Sequence, residues 1–304
     1  MDYDLIIVGG GPAGLTAGIY GARAQLKTVI LEKLMPGGQA AITDLIENYP
    51  GYPEGITGPD LVIKMQEQAE KFGCEIRTEE VISVDFETRI IKTSADKHTW
   101  KAFIIATGAD PKKLGIPGEA ELLGRGISFC ATCDGAFFRD KKVAVIGGGD
   151  SAIKEALFLS KFASRVYVIH RRDKLRAEKI IQEKAFDNPK IEILWDSIAT
   201  KILGDQQVKG VVLKNLHTEK ESELPVDGVF EYIGRIPNTS MFPVKKDQAR
   251  IITDENMCTS VKGVFAAGDC RKKKHHQVST AVGDGAAAAM SAAEYIDDMK
   301  NHLF

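Results

Sequence analysis

Two cysteines separated by two residues, Cys130 and Cys133, have the spacing of a reversible disulfide. A thiolate attacks a neighbouring sulfur or a foreign disulfide at a rate that its local environment sets. Asp134 follows directly, and its carboxyl group could exchange a proton with a leaving thiolate. On these residues alone, two inert core cysteines and half of a metal site stay open as alternatives. The pair is a candidate redox centre, and its surroundings decide between these readings.

A glycine fingerprint, Gly9-x-Gly11-x-x-Gly14, lies between a short apolar stretch predicted as a strand and a predicted helix. The first glycine permits a tight turn, the second lets the backbone approach a pyrophosphate, and the third allows close helix–strand packing. Free N–H groups and the helix dipole then hold the phosphates. Glu32 ends the next predicted strand at the distance expected of an acid that binds a ribose. These residues predict a dinucleotide site.

The fingerprint alone does not separate NAD from a flavin dinucleotide. Gly268 and Asp269 end another predicted strand near the C-terminus. A carboxylate so far along the chain suits a longer ligand with a ribitol arm. The small-residue helix predicted at about 279–299 could point its N-terminus at a flavin ring and favour the negative charge of a reduced flavin. We therefore expect FAD at the first site.

A second fingerprint, Gly147-x-Gly149-x-x-Ala152, carries alanine in its last position, as the pattern allows. The strand predicted after its helix ends in the basic segment His170-Arg171-Arg172-Asp173-Lys174-Leu175-Arg176. A site for NAD would have an acid where this segment begins, whereas guanidinium groups suit a 2′-phosphate. A solvated basic helix start is the alternative. The position of the segment favours NADPH.

Composition excludes several other classes of function. The chain has 304 residues and a formal net charge of −2, so no charge field points to nucleic acid or to a membrane surface. The N-terminus lacks the pattern of a signal peptide, and no apolar stretch approaches the roughly 18 residues of a membrane span. The five cysteines include one close pair, which argues against a disulfide framework or a zinc ribbon. A cytoplasmic location is the default expectation.

The two fingerprints each open a predicted βαβ unit and predict an α/β chain with one nucleotide-binding domain inserted in the other. We expect two Rossmann-like nucleotide-binding domains, each with a three-layer ββα architecture. Residues 1–112 and 245–304 would form the discontinuous FAD domain, and residues 113–244 the NADPH domain that carries the cysteine pair. The segments 110–118 and 231–243 have the composition of linkers.

Taken together, these residues resemble the low-molecular-weight thioredoxin reductases over essentially the whole chain. The most specific matches are Cys-Ala-Thr-Cys-Asp-Gly at 130–135 and His-Arg-Arg-Asp-x-x-Arg-Ala at 170–177. Pro-Gly-Gly-Gln at 36–39, Glu-Asn-Tyr-Pro-Gly at 47–51 and Pro-Asn-Thr at 237–239 also match.

The resemblance implies a homodimer that reduces thioredoxin with FAD and NADPH, with an insert domain that rotates on the two linkers. It implies that Cys133 exchanges electrons with the flavin, that Cys130 attacks the thioredoxin disulfide, and that Asp134 is the acid–base group. The expected FAD contacts are Gly9, Gly11, Pro12, Ala13, Gly14, Glu32, Gly38, Gln39, Asn48, Ala106, Thr107, Gly108, Gly268, Asp269, His276 and Gln277. The expected NADPH contacts are Gly147, Gly149, Asp150, Ser151, Ala152, His170, Arg171, Arg172, Arg176 and Gly234.

The chain departs from the family pattern at three places. His276-Gln277 stands where Arg-Gln is usual, Arg235 is unexpected, and the segment 271–275 is unusually basic. The basic cluster 271–276 is predicted to be an exposed loop, with a position near a partner or a cofactor edge as the alternative. Three rival functions stay open. The partner could be a glutaredoxin-like protein or a peroxiredoxin system, the flavin could pass electrons to ferredoxin or oxygen with idle cysteines, or the cysteines could form a metal clip in a nucleotide-binding protein without enzymatic activity.

Overall fold

The computed structural model describes residues 1–43 and 45–301. They divide into two units. The first contains residues 1–110 together with the segment from Ile236 onward, and the second contains residues 111–235. The second unit therefore interrupts the first in the sequence. The chain passes between the units within the two segments predicted as linkers.

The first unit is built on a five-stranded parallel sheet. Its central strand and one neighbour are apolar and buried at every position, because both faces of the sheet are covered. In order across the sheet, the strands are Val264–Ala266, Ala102–Ile105, Leu5–Val8, Thr28–Glu32 and Glu75–Thr78.

Different layers cover the two faces of this sheet. Alternate residues of each strand point to opposite faces, so one set packs on helices and the other on a second sheet. The helices are Pro12–Arg23, Gly58–Lys71 and Val278–Asn301. The second sheet is antiparallel and consists of Val81–Asp85, Ile90–Thr93 and Lys97–Thr99.

Local sequence signals begin and place these helices. Pro12 occupies the first helical position, where a missing N–H group costs nothing. Thr57 caps the next helix by accepting the N–H of Asp60 at 3.2 Å. The small residues of the C-terminal helix let it approach the first helix closely, since a Cβ atom at Gly285 would collide with the backbone of Ala13.

The second unit repeats this architecture. Its five strands are all parallel, helices pack on one face of the sheet, and a three-stranded antiparallel sheet packs on the other. The parallel strands are, in order, Ile191–Leu194, Arg165–Ile169, Lys142–Gly147, Gly228–Tyr232 and Ile127–Ser128. The helices are Asp150–Leu159 and Lys179–Phe186, and the antiparallel strands are Ser197–Gly204, Val208–Asn215 and Glu221–Leu224. Both units therefore have the expected three-layer ββα fold.

The predicted linker 231–243 was wrong at its start. Glu231 and Tyr232 are the last residues of the strand Gly228–Tyr232, which pairs in parallel with Lys142–Gly147. Glu231 interrupts an apolar run, so the hydrophobic pattern of the sequence does not predict this strand. The structure buries Glu231 to 1% exposure, so tertiary packing overrides its polarity.

The remaining elements are short. They are the 3₁₀ helices Gly38–Ala40, Gly135–Phe138 and Gly268–Cys270, the helical turns Glu119–Leu122 and Ala131–Asp134, and the strands Ala109–Pro111, Arg235–Pro237, Lys246–Asp247 and Arg250–Ile251. Across residues 1–43 and 45–301, no helix has the length and apolar character needed to span a membrane.

Candidate active site

Cys130 and Cys133 form a disulfide in the second unit, with their Cα atoms 5.4 Å apart. Cys130 directly precedes the helical turn Ala131–Asp134, and this turn brings the two sulfurs together. Cys130 is half-buried, whereas Cys133 is exposed. The structure therefore favours a redox pair over a metal clip at these residues.

Side-chain hydroxyls hold the backbone of the disulfide segment. Ser128 accepts the N–H of Cys130 at 3.0 Å and donates to the carbonyl of Cys130 at 3.2 Å. Tyr232 accepts the N–H of Ala131 at 3.0 Å. The N–H of Cys133 points at the sulfur of Cys130, 3.1 Å away. Sequence reasoning missed Ser128 and Tyr232, because neither belongs to the cysteine motif.

Asp134 ends the helical turn and is half-buried. Its N–H donates to the carbonyl of Cys130 at 3.2 Å, so its backbone position is tied to the cysteine pair. Since Asp134 follows Cys133 in the chain, its predicted acid–base role stays compatible with its position.

The first glycine turn combines two crowded glycines with an open one. Gly9 has a φ of +105°, and a Cβ atom there would strike the backbone of Ala106. A Cβ atom at Gly14 would strike the carbonyl of Gly9. By contrast, a Cβ atom at Gly11 would meet nothing within 4 Å. The backbone at Gly11 is therefore open to the approach of a ligand.

Glu32 lies beside this turn with a fixed carboxylate. One oxygen, Oε2, accepts the N–H of Gly10 at 2.7 Å, and Oε1 accepts the N–H of Lys33 at 2.9 Å. A carboxylate has about four acceptor sites, so it can still accept a bond from a ribose hydroxyl. The 3₁₀ helix that contains Gly38 and Gln39 adjoins the same turn, because Gly37 donates to the carbonyl of Gly10 at 2.7 Å.

The predicted flavin contacts near the two ends of the first unit come together. Asn48 donates to the side-chain oxygen of Gln277 at 3.2 Å, although 229 positions separate them. His276 lies with its Nδ1 3.3 Å from a carboxylate oxygen of Asp269. Thr107 donates to the carbonyl of Asn238 at 2.6 Å. The structure thus brings segments that are distant in sequence into contact within the first unit.

Asp284 holds the turn at Gly268 and was not predicted. Its carboxylate accepts the N–H of Gly268 at 3.0 Å and forms salt bridges of 2.8 Å with Arg271 and with Lys273. The expected exposed loop at 271–276 was therefore wrong at Arg271 and Lys273, whose side chains are only 13% and 11% exposed. An acidic residue within a helix of small residues, opposite a basic segment, was the available signal.

The second glycine turn has the same division of roles. Gly147, with a φ of +152°, lies against the carbonyl of Tyr232, and a Cβ atom at Gly149 would meet nothing within 4 Å. The N–H of Arg176 donates to the carbonyl of Gly148 at 2.7 Å. Asp150 accepts the N–H of Glu178 at 2.7 Å. The basic segment is therefore fastened to the turn by its backbone.

The side chains of the basic segment divide into two kinds. Arg171, Arg172 and Arg176 are exposed, and their guanidinium groups form no hydrogen bond or ion pair with residues that the structure describes. His170 is buried at 4% exposure against Gly148, and its Nε2 lies 3.0 Å from the carbonyl of Lys174, so Nε2 carries the proton. Burial, followed by the charges of the three arginines, lowers the pKa of His170. His170 therefore supports the segment from a buried position, through its contact with the carbonyl of Lys174.

The other predicted NADPH contacts lie near this turn. Ser151 and Ala152 belong to the first turn of the helix Asp150–Leu159, and Ala152 is fully buried. Gly234 has a φ of +130°, and a Cβ atom there would meet nothing within 4 Å. Gly234, two residues after Tyr232, is thus open to the approach of a ligand, as Gly149 is.

Comparison with known proteins gives consistent matches. A family model described as pyridine nucleotide-disulphide oxidoreductase matches residues 3–285. A thioredoxin reductase of Peptoclostridium acidaminophilum is 48% identical over 97% of each chain, and one of Bacillus subtilis is 46% identical over 99% of this chain and 97% of its own. The crystal structure of Lactococcus lactis thioredoxin reductase in the FR conformation has a TM-score of 0.95 and 47% identity, covering 97% of this chain and 99% of that one. The chain therefore belongs to the pyridine nucleotide-disulphide oxidoreductase family and, within it, to the thioredoxin reductases.

Proposed function

We propose that this chain moves electron pairs from NADPH through FAD and the Cys130–Cys133 disulfide to oxidised thioredoxin. The observation that carries the proposal is the disulfide itself, formed in a unit that also contains the second glycine turn and the basic segment 170–176. The names of the similar proteins support thioredoxin as the acceptor.

The residues of the first unit fit FAD. The open backbone at Gly11 would face the pyrophosphate, and Glu32 would accept from the ribose of the adenosine half. Asp269 would bind the ribitol, with His276 and Gln277 beside it. When bound, FAD supplies the step between a hydride donor and a disulfide.

The residues of the second unit fit NADPH. Gly149 leaves space for the pyrophosphate at the start of the helix Asp150–Leu159. Arg171, Arg172 and Arg176 offer exposed guanidinium groups for the 2′-phosphate. Asp150 would hold the segment that carries them, through its bond to Glu178.

Once the disulfide is reduced, the protein part of the reaction is thiol–disulfide exchange. The Cys130 thiolate would attack one sulfur of the thioredoxin disulfide, which forms a mixed disulfide and releases one thioredoxin thiolate. The Cys133 thiolate would then attack Cys130, restore the Cys130–Cys133 bond and release the second thiolate. Asp134 would relay protons to these leaving groups. Two electrons and two protons thus pass to thioredoxin.

The proposal also includes an oligomeric state and a cellular location. We propose a homodimer, as the resemblance implies, and a cytoplasmic location. Cys74, Cys258 and Cys270 are free thiols, which is compatible with a reducing compartment.

The test is an anaerobic titration of the purified protein with NADPH, followed by flavin absorbance. The wild type should take up about two electron pairs per flavin and the Cys133→Ser variant about one, because that variant has no disulfide to reduce. Cys258→Ser, which removes a free thiol of the first unit, should behave as the wild type. Equal uptake of about one pair by the wild type and Cys133→Ser would exclude the disulfide from the reaction.

The acceptor is then identified by a panel of protein disulfides. Thioredoxin should be reduced with the highest kcat/KM, and Cys130→Ser should abolish its reduction. A higher kcat/KM for a glutaredoxin-like or peroxiredoxin-system protein would keep the chemistry and change the partner. Ferredoxin or oxygen reduction that survives Cys133→Ser would favour the flavin-only alternative.

A further inference from the structure

The backbone of Tyr232 belongs to a rigid part of the second unit. It is the last residue of the strand Gly228–Tyr232 and pairs in register with Gly147 of the second glycine turn. A Cβ atom at Gly147 would strike the carbonyl of Tyr232, so the two backbones are in close contact. The main chain of Tyr232 therefore cannot shift without disturbing the sheet.

The side chain of Tyr232 ends at the redox segment. Its hydroxyl accepts the N–H of Ala131 at 3.0 Å, and Ala131 lies immediately after Cys130. Ala131 is fully buried, so water cannot replace this partner. A buried N–H group without a partner is costly, and the tyrosine hydroxyl removes that cost.

Ser128 holds the preceding amide in the same way. Its hydroxyl is at 3.0 Å from the N–H of Cys130, and Ser128 is 6% exposed. Two successive backbone N–H groups, those of Cys130 and Ala131, are thus held by two side-chain hydroxyls from different elements. The segment is oriented by groups outside the cysteine motif.

The phenol of Tyr232 stays neutral. Burial, followed by the negative charge of Glu155, raises the pKa of Tyr232 above its ordinary range. A neutral phenol accepts the N–H of Ala131 without placing a negative charge beside the disulfide.

We propose that Tyr232 and Ser128 are positioning residues that hold the Cys130–Cys133 segment in the geometry of the closed disulfide. The inference deepens the proposed function and rests on it. Neither side chain exchanges electrons. Together they keep the two sulfurs within bonding reach, so that their loss favours the open dithiol over the disulfide at a given redox potential.

The test measures the dithiol fraction of the holoenzyme in dithiothreitol redox buffers, by acid quenching, alkylation and mass spectrometry of Cys130 and Cys133. Tyr232→Phe should raise the dithiol-to-disulfide ratio by about three- to tenfold, the value of one hydrogen bond. That change corresponds to a shift of about 15–30 mV for a two-electron couple. In steady state, kcat for the protein disulfide should fall while KM for NADPH stays constant.

Tyr167→Phe is the matched control, because Tyr167 is a half-buried tyrosine of the same sheet that packs on the opposite face. It should leave the ratio unchanged. Tyr232→Phe with an unchanged ratio, or with only a lowered unfolding temperature, would overturn the proposal. If circular dichroism shows that Tyr232→Phe does not fold, Ser128→Ala is measured in the same titration. An unchanged dithiol-to-disulfide ratio in Ser128→Ala would then overturn the proposal. The titration contains no thioredoxin. Its result can therefore be interpreted even if the proposed protein acceptor is wrong.

Discussion

Arg271 and Asp284 form a salt bridge of 2.8 Å whose two side chains are 13% and 11% exposed. Lys273 completes the cluster from the other carboxylate oxygen. A largely buried carboxylate with two cationic partners and one backbone N–H has its charge well compensated, whereas removal of one member leaves charges unpaired. The cluster fixes the turn at Gly268 to the C-terminal helix, directly beside the proposed ribitol ligand Asp269.

We predict that Asp284→Asn weakens FAD binding at least about tenfold, because Arg271 and Lys273 lose their counter-charge and the Gly268 turn loosens. The measurement is the flavin-to-protein absorbance ratio after dialysis. Asp297→Asn is the control, since Asp297 lies on the same helix with its side chain 67% exposed. Full flavin retention in Asp284→Asn would show that the cluster serves stability alone.

The open glycines allow each proposed cofactor site to be blocked separately. Gly11 and Gly149 have ordinary backbone angles and room for a Cβ atom, so alanine should fold at both positions. Gly11→Ala should reduce FAD content with little effect on NADPH binding to the apoprotein. Gly149→Ala should keep FAD and raise KM for NADPH, because the methyl group occupies the space proposed for the pyrophosphate.

The two alanine variants are each other's control. Flavin content by absorbance and nucleotide affinity by calorimetry give two independent readouts. The assignment of the two turns would be reversed if Gly149→Ala lost the flavin and Gly11→Ala lost the nucleotide.

Arg176 should determine the preference for NADPH over NADH. Its backbone is fastened to Gly148, and its exposed guanidinium group has no partner among the described residues. Arg176→Ala should raise KM for NADPH about tenfold or more and leave KM for NADH unchanged, since only the 2′-phosphate contact is lost. Lys209→Ala, an exposed cation of the same unit, should change neither constant. A parallel rise of both KM values would place Arg176 elsewhere on the nucleotide.

Features that depend on residues close in sequence could be predicted, whereas contacts between distant segments could not. The two glycine turns, the place of Glu32 beside the first of them and the Cys130–Cys133 disulfide were predictable, because each depends on residues close in sequence and on backbone geometry. Asp284 and Tyr232 were not, because their importance comes from contacts with Arg271 and Ala131 that only the folded chain creates.

Glu231 is another residue whose effect, here on stability, depends on contacts that form only in the folded chain. Its Oε1 has no hydrogen-bond partner among the described residues, and its Oε2 is 3.4 Å from the N–H of Leu114. Glu119 lies close by, where its side-chain oxygens accept the N–H groups of Leu114 and Gly115. Burial, and next the charge and the side-chain hydrogen bond of Glu119, raise the pKa of Glu231 to about 8, against the opposing effects of the Leu114 N–H and of Lys113. Glu231 is therefore protonated in the folded chain at neutral pH.

A raised pKa makes this glutamate a source of pH-dependent instability. Between the unfolded value of 4.5 and about 8, the unfolded chain releases a proton that the folded chain retains, so stability is full below pH 4.5 and falls as the pH rises. Glu231→Gln keeps the shape of the side chain without its charge and should raise the free energy of unfolding at pH 8, measured by urea denaturation, by an amount on the order of a few kcal/mol. At pH 4.5 the midpoints of variant and wild type should coincide. Glu221→Gln, an exposed control, should show no such dependence, and a pH-independent effect of Glu231→Gln would mean that Glu231 is already ionised in the folded chain.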